Sequence, residues 1–447
     1  MCENWDGGID MTQNDLIHLD IKKIFFKYLL PSISATLVTS IYVLADTIMI
    51  GKGIGAKGIA ALNYILPIFT LFFGTGLLLG VGGAVLMSIA NGRKEHKLAN
   101  TYFTSSVIWA CILAIIYLVI GLTNLEQIGY MLGSDASNID LFTDYGKYLV
   151  GFCPVFIFSS LLQAFVRNDH APKRAMVAVI AGGVTNIVLD YVFIFMLGIG
   201  MKGGAIATVL GSTLSVAILL THFLSKHNTM RLVKIDKPIQ TVLNIIQTGF
   251  PSFLIEMSTG IVVMVFNLQL LKYVGENGVI VYGIIANTAI VAMSLFNGVS
   301  QGAQPIIATN YGAGKIERVA SVRRLGAITV FVIGLIIFAI GYLFPQVAVN
   351  IFVTPTEAIL TMADSAMKIY FLAFIAMSLN IFYSTYFQSV MAPNLSMMIC
   401  LLRGIIISLV LVFILPIFLG VNGIWWVIPI TEAITLGVAL VMLKYKR

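Results

Sequence analysis

Residues 30–58 read LPSISATLVTSIYVLADTIMIGKGIGAKG, and 220 positions later residues 250–278 read FPSFLIEMSTGIVVMVFNLQLLKYVGENG. Pro31-Ser32 is matched by Pro251-Ser252, Lys52 by Lys272, Gly55 by Gly275 and Gly58 by Gly278. Each stretch holds more than the roughly 20 weakly charged residues that an α-helix needs to cross a hydrocarbon layer. Self-similarity at so long a period marks a duplicated chain. The match continues outward: Gly83-Ala84 with Gly302-Ala303 and Asn91 with Asn310 at offset 219; Lys147 with Lys368, Ala171-Pro172 with Ala392-Pro393 and Gly183 with Gly404 at 221; Gly200 with Gly420 and Gly203 with Gly423 at 220.

Across the 447 residues, 59% are hydrophobic and 11% charged, with a mean hydropathy of +0.96. Soluble domains carry about a quarter charged residues, so this chain belongs in a bilayer. Spans are expected at 24–50, 58–90, 98–121, 139–166, 175–197, 203–225, 239–271, 279–310, 325–344, 359–390, 395–418 and 421–443. The remainder is too short for a soluble catalytic domain, and no enzyme is expected. The fold class is therefore all-α integral membrane, with twelve transmembrane helices in two six-helix lobes. An even number of spans per repeat gives both lobes one orientation, so the pseudo-two-fold axis lies along the membrane normal. This is a recurrent transporter plan. The expected division is an N-terminal segment 1–23, an N-lobe 24–225, an inter-lobe linker 226–238, a C-lobe 239–443 and a tail 444–447. The basic stretch 225–238 is either a hinge or an ordinary linker.

The net charge of +7 and isoelectric point near 9.1 raise the question of nucleic acid, which the placement of the charges answers. Lys22, Lys23 and Lys27, the connections holding Arg93, Lys94, Lys97, Arg167, Lys173, Arg174, Lys226, Arg231, Lys234, Lys237, Lys315, Arg318, Arg323 and Arg324, then Arg403, Lys444, Lys446 and Arg447 put 21 of the 27 Lys and Arg on one side. Lys52, Lys57, Lys147, Lys202, Lys272 and Lys368 fall on the other, beside Glu126, Asp135, Asp140, Asp144 and Glu357. The positive-inside rule then makes both termini cytoplasmic, and no nucleic-acid partner is expected. Glu3, Asp6, Asp10, Asp15 and Asp20 in the first 20 residues argue against a cleaved signal peptide. Cys111, Cys153 and Cys400 lie in apolar stretches and Cys2 at the end, so no disulfide framework is expected.

Mid-span prolines such as Pro31, Pro67, Pro154, Pro251, Pro305, Pro416 and Pro429 are tolerable where neighbours satisfy the freed carbonyls. Pro31 and Pro251, at matching positions, are candidates for bending. Gly74, Gly76, Gly80, Gly82 and Gly83 permit close helix approach.

Of 20 acidic residues, only Asp46, Asp190, Glu256 and Glu432 fall inside apolar stretches. A carboxylate at membrane depth costs on the order of 2.5 kcal/mol or more, so it must face a cavity, find a partner, or hold a proton or cation. Asn186 precedes Asp190 by four residues and shares its helical face. The duplicate positions are apolar: Phe266 for Asp46, Ile407 for Asn186 and Leu411 for Asp190. An acid cluster in the N-terminal half alone suggests a site added for a purpose. Its oxygen donors suit H⁺ or Na⁺ better than a transition metal, and the five histidines lie elsewhere. Glu256 is a candidate for meeting a cationic substrate in the C-lobe, or else a neutral or paired carboxyl; Glu432 is read first as a structural carboxyl. No phosphate-binding glycine loop or catalytic triad is present, which leaves an ion gradient as the energy source and no organic cofactor.

Together these residues resemble the multidrug and toxic compound extrusion (MATE) transporters over nearly the whole chain. The features are the two six-span halves, Pro31 fifteen residues ahead of Ala45-Asp46-Thr47-Ile48-Met49-Ile50-Gly51, the Asn186-xxx-Asp190 pair, and Gly204-Ala205-Ile206-Ala207-Thr208. The resemblance implies an N-lobe cation-coupling site of Asp46, Asn186, Asp190 and Thr208, open to H⁺ or Na⁺, with Pro31 as the helix bend. It implies antiport of lipophilic, mostly cationic drugs and dyes through two lobes by alternating access. Membrane lipids would surround a chain that functions as a monomer in a bacterial plasma (inner) membrane, multi-pass. Glu256 stands only loosely against an acidic C-lobe position of some members. The alternative is a lipid or lipid-linked oligosaccharide flippase of the same superfamily, although basic residues are nearly absent from the spans, Arg403 being the main candidate.

Overall fold

The computed structural model describes residues 13–352 and 356–445, and every regular element among the described residues is helical. Cys2, Glu3, Asp6, Asp10, Lys446 and Arg447 lie outside the described residues. A short α1 (Gln13–His18) leads into the N-lobe: α2 (Ile21–Ile54), α3 (Ala56–Gly92), α4 (His96–Thr123), α5 (Leu125–Met131), α6 (Ile139–Gly151), α7 (Cys153–Asn168), α8 (Pro172–Asp190) and α9 (Met201–Leu220). The C-lobe comprises α10 (Pro238–Tyr273), α11 (Glu276–Gly312), α12 (Ile316–Leu343), α13 (Pro345–Phe352), α14 (Glu357–Tyr370), α15 (Ala373–Ser389), α16 (Pro393–Leu401), α17 (Ile407–Leu419) and α18 (Val421–Tyr445). Helix is the outcome because hydrocarbon offers no partner to backbone N–H and C=O groups.

Among the described residues, ten helices are long and apolar enough to span a membrane, and two bent pairs bring the number to twelve when each pair is taken as one span. The bent pairs are the fourth and tenth spans, expected as continuous segments at 139–166 and 359–390. Instead α6 and α7 meet at 54°, and α14 and α15 at 43°. In the N-lobe the break precedes Pro154, which has no N–H to continue the ladder. The C-lobe breaks at Phe371-Leu372 without a proline.

The duplication extends to the backbone. Gly55 and Gly275, equivalent in the repeat, sit in the turns between two long helices at φ 88° and 81°, Gly55 as the whole connection and Gly275 after Val274. Only glycine takes that conformation cheaply. His170 and Met391, also equivalent in the repeat, adopt φ 68° and 53° despite their side chains.

The first long helix of each lobe begins against the other lobe. The early turns of α2 pack on α11, where a Cβ at Gly298 would lie 2.6 Å from the Ile33 Cα and one at Gly302 3.1 Å from the Tyr28 carbonyl oxygen. The early turns of α10 pack on α3 so closely that a Cβ at Gly249 would overlap the Leu78 carbonyl, and one at Gly82 the Ile245 carbonyl. Nearer the basic ends, Gly92 faces Thr309 and Gly312 faces Ile89, backbone against backbone.

The segments ahead of these helices are also exchanged. Leu16 of α1 is buried in the core of the C-lobe. Asn310 Nδ2 and Arg318 donate to its carbonyl at 3.0 and 3.1 Å, Arg318 also to Leu19 O at 2.8 Å, and Lys315 Nζ to Ile17 O at 3.1 Å. The linker before α10 docks on the N-lobe: Arg231 N donates to Asn100 Oδ1 at 2.8 Å and Val233 N to Thr104 Oγ1 at 3.0 Å.

A buried carboxylate completes the linker's seat. Asp169, between α7 and α8, accepts from His222 Nε2 at 2.7 Å, from Thr229 N at 3.0 Å and from the Thr229 hydroxyl. Burial opposes charge on Asp169, but the bond from His222, the nearby His170 and the Thr229 hydroxyl outweigh it and hold the carboxyl below its usual value. A depressed folded value stabilises above the ordinary carboxylate range and is lost as pH falls through it. Asp169→Asn is expected to destabilise the N-lobe by roughly 3 kcal/mol, since a buried charged hydrogen-bond network loses its centre. It should also speed amide exchange across residues 226–237. Unchanged exchange there in the variant would show that Asp169 does not hold the linker.

Candidate functional site

The site forms where α2, α8 and α9 approach through glycines. A Cβ at Gly182 would lie 2.7 Å from the Gly211 carbonyl oxygen and one at Gly211 2.6 Å from that of Gly182, so α8 and α9 touch backbone to backbone. A Cβ at Gly183 would lie 3.0 Å from the Tyr42 ring, which brings α2 alongside α8. This register sets Asp46, one turn beyond Tyr42, opposite the end of α8.

There Asp46 and Asp190 face each other, each the ionisable neighbour that acts most directly on the other. Asp190 is 0% exposed and Asn186 3%. Asn186 Nδ2 donates to Thr208 Oγ1 at 3.3 Å, and the Tyr145 hydroxyl lies 3.3 Å from the same oxygen. Thr208 Oγ1 in turn donates to Gly204 O at 3.0 Å. Four further oxygens are buried without a hydrogen-bond partner: Asp46 Oδ1, both carboxylate oxygens of Asp190 and Asn186 Oδ1. Such groups are costly unless a proton, cation or water meets them. The helix changes pitch at this point, because a π-helical turn, Tyr191–Met196, begins directly after Asp190. A π-turn widens the helix and frequently accompanies a functional site.

All four N-lobe residues expected from the sequence, Asp46, Asn186, Asp190 and Thr208, thus come together. Tyr145, on α6, belongs with them and was not singled out in the sequence, where nothing distinguishes it from the other tyrosines. Pro31 lies outside the cluster, buried in the part of α2 that packs against α11, and α2 runs through it as one helix. Without an N–H, Pro31 leaves the carbonyl four residues earlier unbonded by the helix. Glu256 is not part of the cluster. It is half-buried on α10 and faces the N-lobe, its Cβ 3.7 Å from where a Cβ of Gly74 would stand.

Beside the cluster lies a narrow pocket of about 40 Å³. Phe69, Phe73, Phe156 and Tyr42 form aromatic walls, and Asn186 and Thr208 are shared with the carboxylate site. Aromatic faces attract organic cations.

Glu432, read from sequence as a structural carboxyl, is indeed ion-paired: Arg403 NH2 reaches its Oε1 at 2.7 Å. The two lie on different elements far apart in the sequence, so no local pattern announces the pair.

Comparison with known proteins agrees with the architecture. The MatE family model matches residues 31–192 and 250–414. A multidrug export protein, MepA, from Staphylococcus saprophyticus is 25% identical over 442 residues, covering 98% of this chain and 97% of that one. A solved outward-facing multidrug resistance MATE family transporter superposes with a TM-score of 0.90 at 23% identity, covering 98% of each chain. A MOP superfamily transporter from Pyrococcus furiosus, described as having a binding pocket of reverse polarity, gives 0.90 at 22% over the same shares. With matched segments in both repeats and up to twelve candidate spans among the described residues, the chain belongs to the MatE family of multidrug and toxic compound extrusion transporters.

Proposed function

We propose that the protein is an H⁺- or Na⁺-coupled antiporter that exports lipophilic, mostly cationic drugs and dyes by alternating access. The observation that carries this reading is the facing pair of Asp46 and the fully buried Asp190, with unpartnered oxygens, sharing Asn186 and Thr208 with an aromatic-walled pocket. Two carboxylates held together in a poorly solvated site need a proton or cation between them. An organic cation in the adjoining pocket supplies positive charge too, so the two occupants compete, and competition is the basis of exchange.

In the proposed cycle the external cation enters at Asp46 and Asp190 and weakens the hold on the drug, which leaves outward. Rearrangement about Pro31 then delivers the cation to the cytoplasm. The excess of Lys and Arg at one end of the helices supports a multi-pass arrangement in a bacterial plasma membrane with both termini on the cytoplasmic side. The chain is taken to work as a monomer among lipids. MepA's description as a multidrug export protein supports the substrate class. The flippase alternative requires a basic cavity for phosphate, and Arg403 is engaged by Glu432, which counts against it.

The test is ethidium efflux from proteoliposomes under a pH gradient alone and a Na⁺ gradient alone. Dye movement driven by one of them is expected and identifies the coupling ion. No movement under either would overturn the drug antiporter reading and make lipid-linked substrates the next assay.

A further inference from the structure

The repeat offers a comparison within one chain. The N-lobe pocket is lined in part by Ser159, Val179, Gly182 and Ser212. The same offsets that relate the lobes elsewhere place Asn380, Cys400, Arg403 and Glu432 at these four positions of the C-lobe. Three small polar or glycine positions are thus replaced by a carboxamide, a guanidinium and a carboxylate.

These three groups bind one another. Arg403 Nε and NH2 donate to Glu432 Oε1 at 3.1 and 2.7 Å, while Asn380 Nδ2 donates to Oε2 at 2.7 Å and to the Glu432 carbonyl at 2.9 Å. The Arg403 and Glu432 side chains are 9% and 4% exposed. Their backbone is adapted as well, since Arg403 sits in a π-helical turn, Leu402–Ile406. Joining helices alone does not call for such a pair, because apolar residues of similar volume usually serve as well without the desolvation cost. What the pair adds is a filled space with no net charge, which leaves an organic cation neither room nor attraction.

We propose that Arg403, Glu432 and Asn380 form a plug in the C-lobe's copy of the substrate pocket and act as a specificity-determining element that confines lipophilic cations to the N-lobe. The substrate part of this proposal rests on the reading of the N-lobe pocket as the drug chamber; the closure itself does not.

Cys400 is a native reporter of the closure. It is 0% exposed, its Sγ lies 3.1 Å from the Ser384 hydroxyl, and its N-lobe counterpart Val179 lines the open pocket. In a chain with Cys2, Cys111 and Cys153 replaced by serine, Cys400 should resist a small methanethiosulfonate reagent. Arg403→Gly with Glu432→Ser, which copies the N-lobe residues, should raise its modification rate on the order of tenfold or more, since thiol reactivity follows access. Ethidium binding should rise from one molecule per chain to two. Arg403→Met with Glu432→Leu refills the space without charge and should leave Cys400 protected. Asn380→Ser removes only the carboxamide and is the milder variant if the double one does not fold; it too should speed modification. Fast modification in the parent chain, or no acceleration in a folded variant, would overturn the plug. Absence of ethidium binding and efflux in the parent would overturn the drug reading instead, and the Cys400 rates would still decide the closure.

Discussion

Asp190→Asn and Asp46→Asn should each reduce gradient-driven ethidium efflux to the leak of protein-free liposomes, while the purified proteins remain as thermally stable as the parent or become more so. The two expectations have one cause. Asp190 is fully buried with both carboxylate oxygens unpartnered, and Asp46 Oδ1 is likewise unpartnered. Two carboxyls in that position are a cost to the fold, and an amide of the same shape removes one of them. The cost is accepted because a carboxylate can take up and release a cation and an amide cannot. Loss of activity with retained stability is the usual mark of a strained functional group. Full coupled efflux in both variants would remove these residues from the mechanism, whereas loss of stability along with activity would make them structural.

Gly249→Ala should be among the most damaging single-methyl changes in the protein. The new Cβ would occupy the position of the Leu78 carbonyl, with the Leu78 carbonyl carbon 2.8 Å away, and backbone atoms cannot swing aside as a side-chain end can. The helices α3 and α10 must part, at a cost of about 2 to 3 kcal/mol for overpacking. Because this contact joins the two lobes on their basic side, dye leakage should accompany the loss of stability. Gly260→Ala, eleven residues later on the same helix, meets nothing within 4 Å and should be neutral or slightly stabilising through better helix propensity. Thermal unfolding and leak rates of the pair of variants check the argument; equal behaviour would mean that the tight contact is not structural.

What the sequence disclosed followed from local rules. Apolar runs longer than a bilayer located the spans, and the repeat paired Gly55 with Gly275 before their matching φ angles of 88° and 81° were known. Asn186 and Asp190 were legible because four residues make one helical turn. Asp46 was legible as an acid inside an apolar run and Thr208 only through resemblance; that they meet depends on the contact of Gly182 with Gly211 and of Gly183 with Tyr42. The break at Phe371-Leu372 had no signal, because no proline or glycine marks it. Arg403 and Glu432 were each noted, one as a basic residue and the other as a structural carboxyl, but that they meet depends on how α18 packs against the α16–α17 span.

The exchanged lead-ins carry a consequence for synthesis. The carbonyl of Leu16 is bound by Asn310, 294 residues later, and by Arg318, 302 residues later. During translation the segment ahead of the first long helix therefore waits, unseated, until more than two-thirds of the chain has left the ribosome. Contacts of such sequence separation close late and slowly. The N-lobe can gather its own six spans early, but its leading segment is fastened only after α11 and the start of α12 exist. A truncated product lacking the second repeat would leave Leu16 without its socket, which gives cellular quality control a feature by which half-made chains differ from finished ones.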